Sequence, residues 1–205
     1  MWRISGRPVR GSRLRLPRLS CSFARTQYIM AMVVRKRLDF EGGGLFFVTT
    51  TVVDWLQPFR QAELARLVLH RFSDSVSVFH ASVIAYVLMP SHLHALVGFK
   101  EASTLSQFMR SFKSLSSKDV RSRLSSEVVD RLLRSGSFAL WQPRFDDLLI
   151  YSGEQFKTKF EYIHTNPVRA GLVAESVDYP YSSARDWLLG EQGLVPVDKS
   201  FTWVK

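Results

Sequence analysis

The chain predicts an α+β domain, an antiparallel sheet with helices packed on it. Three observations carry that reading. Residues 45–53 (LFFVTTTVV) are aromatic and β-branched, the composition of a core strand. Residues 82–99 form a long apolar run broken once, at Pro90 and Ser91, as in a β-hairpin. Two later stretches, 104–124 and 154–165, place apolar residues at helical spacing.

Taken in order, the elements follow from local chemistry. Gly42, Gly43 and Gly44 form a turn before the first strand. Pro58 suits a first helical position and opens a helix expected to run to about Phe72. Ser75 to Met89 reads as strand, in one piece or two, and His92 to Phe99 returns as its hairpin partner. One face of that return strand carries His92, His94 and Leu96, and the other carries Leu93, Ala95 and Val97. In the helix at 104–124, Leu105, Phe108, Phe112 and Leu115 lie on the apolar side, opposite Arg110, Lys113, Lys118 and Arg121. Residues 125–140 read as a further helix and loop. A helix from Glu154 to about Thr165 is expected to stop at Pro167. The order strand, helix, strand, strand, helix is compatible with a ferredoxin-like arrangement.

A chain of 205 residues at 46% hydrophobic and 22% charged residues is sufficient for one domain with its own core. Residues 1–31 hold seven arginines and no acid, so they account for seven of the ten net positive charges. They read as a basic disordered arm, a transit-like segment, or a stretch ahead of a true start at Met30 or Met32. The domain is expected over 32–190, with 191–205 as a C-terminal tail. A single cysteine, Cys21, excludes an internal disulfide framework and suits a cytoplasmic protein. No apolar run approaches membrane-spanning length, so no membrane partner is expected.

The most informative residues are His92 and His94. Two residues apart on a strand, they point to one face, placed to share a metal ion. Two structural histidines remain the plainer alternative at this point. The helix after Gly153 adds a second clue. Phe156, Phe160 and Ile163 form its core stripe, whereas Gln155, Lys159, Tyr162 and Asn166 share a neighbouring strip. A phenol can act as a nucleophile, and an amide oxygen suits a hard cation.

Together with Met89, Pro90 and Ser91, the pair His92 and His94 resembles the histidine–hydrophobe–histidine motif of the HUH nucleases. Residues 141–145 (WQPRF), 161–173 (EYIHTNPVRAGLV) and 179–183 (YPYSS) are similar to the REP-associated tyrosine transposases over roughly residues 37–190. The resemblance implies an HUH endonuclease fold with His92, His94 and Asn166 as metal ligands and Tyr162 as nucleophile. It implies Mg²⁺ or Mn²⁺, two imidazoles leaning the site towards Mn²⁺. The implied substrate is single-stranded or hairpin DNA, cut to a 5′-phosphotyrosine and a free 3′-hydroxyl in a bacterial, nucleoid-associated setting. Candidate DNA contacts are Arg110, Lys113, Lys118, Arg121, Trp141, Arg144, Lys159 and Arg169, with Gln155, Asp146 and Asp147 supporting the site. No obligate protein partner is expected; the chain is expected as a monomer or a homodimer, the resemblance to the REP-associated group being more compatible with a monomer.

One departure stands out. Members of that family carry a His and an Arg between the WQPRF segment and the tyrosine helix, and here Leu148 occupies the histidine's place. It favours an alternative, a decayed or domesticated protein that binds hairpins without cutting them. A metal hydrolase acting through water is a third reading, short of ligands.

Overall fold

In the computed structural model, the described residues are 42–200, so the readings of residues 1–31 and of Cys21 lie outside them. Strand β1 (Gly44–Thr51), helix α1 (Ala62–Val78), strands β2 (Ser82–Met89) and β3 (His92–Phe99), and helix α2 (Thr104–Arg121) come first. A short helix α3 (Ser126–Arg131) and a small hairpin, β4 (Leu133–Arg134) with β5 (Ser137–Phe138), follow. Strand β6 (Asp146–Ile150), helix α4 (Gly153–Arg169) and helix α5 (Ala184–Leu188) complete the order. The main sheet runs β2-β3-β1-β6 with every neighbouring pair antiparallel. Counting β6 as the fourth strand, this is the βαββαβ order of a ferredoxin-like sheet.

Alternation along β1 sorts the core into two sides. Phe46 and Val48 join Leu93, Ala95 and Val97 of β3 under α1 and α2, where Phe72, Phe108 and Phe112 are fully buried. Leu45 and Phe47 join Leu96, Ile150 and Ile163 on the other side, under α4. At about 1.5–3 kcal/mol for each fully buried large apolar side chain, both faces contribute to holding the sheet. Strand β2 carries an irregularity between Val83 and Ala85, so Ile84 and Ala85 fall on the same side. The histidine face of β3 is therefore the α4 face.

The structure corrects several boundaries. Helix α1 begins at Ala62, after a 3-10 turn at Pro58–Arg60, and continues to Val78 through residues expected as strand. Ser75 and Ser77 donate their hydroxyls to the carbonyls of Arg71 and Ser73 four residues back, which accommodates serine inside a helix. Arg71 pairs with Asp74 on the same helix and with Asp119 of α2. Residues 146–150, to which the sequence reading assigns no element, are a strand, with Leu148 opposite Phe47 of β1.

Helix α4 also passes its expected stop. Pro167 sits in its last turn, where its missing N–H removes only one helical bond. Gly171 at φ 67° then closes the end: its N–H donates to Val168 O, and the Leu172 N–H to Pro167 O, both at 2.9 Å. Residues 191–200 do not behave as a tail. Val195 is fully buried, and the Asp198 N–H donates to Val83 O at 2.7 Å.

The YPYSS segment covers the free edge of β2. Leu88 N donates to Tyr181 O at 2.8 Å and Ser183 N to Tyr86 O at 3.0 Å, while the Tyr179 hydroxyl reaches Leu88 O. An exposed edge is thereby paired along much of its length. Among the described residues no helix is long and apolar enough to cross a membrane.

Candidate active site

The register of β1 and β3 builds the site. Thr49 lies opposite His94 and Thr51 opposite His92. The two imidazoles stand side by side, with ring centroids 4.7 Å apart. Helix α4 crosses this face and brings Tyr162 to His94, the phenolic oxygen lying 3.4 Å from Nε2. Phe47, two residues before Thr49, stacks on His94 at 5.5 Å and meets the Tyr162 ring edge-on at 6.0 Å. It acts as a floor that fixes both rings.

Hydroxyl groups set the histidines' orientation. His94 Nδ1 lies 2.7 Å from Thr49 Oγ1, and His92 Nδ1 lies 3.0 Å from Ser91 Oγ. In each ring Nδ1 meets a hydroxyl, and Nε2 of His94 faces the Tyr162 hydroxyl. Burial pushes His92 down to about 4 and His94 well below the ordinary histidine range, with the His92 and Lys159 charges adding to the effect on His94. Both rings are therefore neutral at pH 7, the form that coordinates a metal.

Asn166 lies one turn beyond Tyr162 on the same strip of α4, which persists past it as the sequence reading required. Its Nδ2 is buried with no hydrogen-bond partner among the described residues. A buried amide atom left unpaired calls for a ligand or a water. Because the two ends of an amide are interchangeable by a flip, that atom fits a carbonyl oxygen facing a cation equally well. Among the described residues no three of His, Cys, Asp and Glu gather as a metal cluster.

The cations divide into two groups. Lys159 Nζ stands 4.7 Å above the Phe47 ring and 5.8 Å from the Tyr162 ring, and the Arg169 guanidinium is 5.7 Å from that ring. Both flank the tyrosine. Arg110, Lys113, Lys118 and Arg121 belong to α2, in the helical layer on the opposite face of the sheet, and so do not share the site. Lys113 donates to the carbonyls of Gln142 and Pro143, and burial lowers its affinity for a proton. Arg121 covers the Phe138 ring, and Arg144 is exposed.

Three further expectations change. Trp141 is buried between Phe59 and Phe112 and donates Nε1–H to Ser116 Oγ at 2.9 Å, so it offers no face to a base. Gln155 accepts from the Tyr151 N–H at 3.3 Å and serves the start of α4. Asp146 faces the site side of the sheet, across from Thr49, but Asp147 points to the other side with Val48. His164 is structural: it is buried, with Nε2 2.8 Å from Ser183 Oγ. Thr49 and Phe47 were not singled out from the sequence, and the pairing of β1 with β3 reveals them, whereas Ser91 meets His92 as its chain neighbour.

A ferredoxin-like sheet whose central strand presents two histidines to a tyrosine on an overlying helix has the architecture of the HUH type. The chain belongs to the IS200-like transposase family, whose model matches residues 57–166. It is 27% identical over 160 residues to a REP-associated tyrosine transposase of Haemophilus influenzae, covering 72% of this chain and 83% of that one. It is 26% identical over 114 residues to the REP-associated tyrosine transposase of Escherichia coli K12, covering 56% and 59%. A solved REP-associated tyrosine transposase bound to a REP hairpin shares the fold with a TM-score of 0.62 at 21% identity, covering 84% of this chain and 95% of that one.

Proposed function

We propose that this protein is a metal-dependent transposase that cleaves and rejoins single-stranded DNA at hairpin or repeat elements through Tyr162. The observation that carries the reading is the 3.4 Å approach of the Tyr162 hydroxyl to Nε2 of a buried, neutral His94 paired with His92. The donor set fits a divalent cation: two imidazole Nε2 atoms and the Asn166 amide with its unpaired atom. Mn²⁺ suits two imidazoles better than Mg²⁺ does. When bound, the cation supplies Lewis acidity to a phosphate oxygen.

The chain's own residues do the rest. Tyr162 sits on a helix and is fixed against Phe47, which orients the phenol for attack. Its oxygen bonds to phosphorus as the bond from phosphorus to the 3′ oxygen breaks. The phenol loses its proton, and the departing 3′ oxygen gains one to become a hydroxyl. The phosphodiester energy is retained in the 5′-phosphotyrosine link, so a second 3′-hydroxyl can reverse the step without ATP. Lys159 and Arg169 attract the phosphate to the ring. Similarity to the hairpin-bound relative supports a folded DNA end as the partner.

The test is a denaturing gel with labelled single-stranded and stem-loop DNA in Mn²⁺. Wild type should give a covalent adduct, lost in Tyr162→Phe and on chelation. Hairpin binding without any adduct would favour the non-cleaving alternative, for which Leu148 is the motive. Cleavage persisting in Tyr162→Phe would instead indicate a water nucleophile.

A further inference from the structure

Trp55 is a large apolar side chain left at the surface, 47% exposed, beside the histidine pair. Its ring meets His92 edge-on, with centroids 5.7 Å apart. It belongs to neither core cluster, so packing does not call for a tryptophan here. The backbone beneath it is unusual. Asp54 at φ 53° and Trp55 at φ 56° stand consecutively in the left-handed region, which favours glycine. Three contacts hold this turn. Val53 N–H donates to Leu140 O at 2.9 Å, Trp55 N–H donates to Val52 O at 3.1 Å, and Asp54 pairs with Arg134 of the small β4–β5 hairpin. Strain that the surroundings sustain, presenting an exposed aromatic ring, is a mark of a ligand-contacting position.

Its place in the site is informative. Along β1, the side chains facing α4 are Leu45, Phe47, Thr49 and Thr51, and the chain then turns to Trp55. Tyr162 touches the Phe47 and His94 end of this row, and Trp55 touches the His92 end. The histidine pair lies between them. In a phosphoryl displacement the entering and departing oxygens lie roughly in line across phosphorus. With Tyr162 entering from one end, the departing 3′ oxygen and its nucleotide lie towards the other.

We propose that Trp55 is a nucleobase-stacking platform for the unpaired nucleotide on the departing 3′ side of the scissile phosphate. The assignment rests on the site reading given above and adds a base-binding position to it. The ligand class is an unpaired base of single-stranded DNA, recognised by its π-face and without sequence preference.

The probes are fluorescein-labelled oligothymidylate and a chain of the same length made of abasic sites, which has the same phosphates and no bases. Wild type should bind oligothymidylate more tightly than the abasic chain. Trp55→Ala should weaken oligothymidylate binding by about 5- to 150-fold and leave abasic binding unchanged, with Trp55→Phe recovering much of the loss. Trp55→Gly, which suits the left-handed backbone, should melt at or above the wild-type temperature and lose the same preference for bases. Wild-type affinity in Trp55→Ala, or equal loss on both probes, overturns the proposal, as does Trp55→Gly that melts lower while keeping base preference. Adduct formation by wild type separates the two ideas. Loss-free Trp55→Ala with a Tyr162 adduct refutes stacking alone, whereas Trp55-dependent base binding without an adduct supports stacking and refutes cleavage.

Discussion

Thr49→Val isolates the group that orients His94. The two side chains have nearly the same shape, and both are β-branched, so the strand should tolerate the change. What is lost is the hydroxyl 2.7 Å from His94 Nδ1, against a ring only 6% exposed. A buried donor or acceptor left without its partner costs about 1–3 kcal/mol. Urea denaturation should therefore show a loss of about 1–2 kcal/mol in the metal-free protein. Removing the partner of a metal-binding histidine typically weakens metal affinity by about 10–100-fold, or about 1.4–2.7 kcal/mol. Calorimetric titration with Mn²⁺ should show that loss, and Thr49→Ser should recover most of it. Nitrogen NMR of His94 should report its proton on Nδ1 in wild type and a mixed tautomer in Thr49→Val. Wild-type Mn²⁺ affinity together with an unchanged tautomer in Thr49→Val would refute the orienting role.

Other outcomes follow from the same geometry. Trp141→Ala should destabilise by about 3–5 kcal/mol in urea denaturation through lost packing, with the folded fraction retaining its DNA affinity, because the indole is enclosed in the core. Burial pushes His164 down to about 4 from about 6.5, so the folded state holds it neutral. Its contribution is fully present above about pH 6.5 and is lost as pH falls towards 4, amounting to about 3 kcal/mol at the low end. Urea titrations across that window should show a shallower pH slope in His164→Asn than in wild type. Arg169→Ala should weaken oligonucleotide binding and reduce its salt slope by about 1, whereas Arg110→Ala, on the far helical layer, should leave cleavage unchanged.

The sequence conveyed which candidate residues share a face better than it conveyed what surrounds them. His92 and His94 were legible because strand alternation fixes which side chains share a face. Tyr162 and Asn166 were legible because helical spacing sets them off from Phe156, Phe160 and Ile163. Contacts between distant segments were not. Thr49 and His94 are 45 residues apart, and only sheet register joins them. The basic face of α2 reads as a phosphate surface until the layer order sets it across the sheet from Tyr162. Trp141 illustrates the same limit, since an aromatic beside an arginine reads equally as a base platform or as core. Residues 75–78 read as strand from their composition, yet α1 continues through them, with Ser75 buried and Val76 packed against the core. The turn at Asp54 and Trp55 gives no glycine signal at all, because the left-handed conformation there is imposed on ordinary residues.

Whether Tyr162 is the nucleophile is read from the atom that becomes linked to DNA. Wild-type protein would be incubated with single-stranded stem-loop DNA and Mn²⁺, digested with nuclease and trypsin, and analysed by mass spectrometry. The tryptic peptide Phe160–Arg169 is expected to carry a nucleotide through Tyr162, and Tyr162→Phe to yield the bare peptide. A nucleotide linked to any other residue, or DNA cleaved with this peptide unmodified, would contradict Tyr162 as the nucleophile.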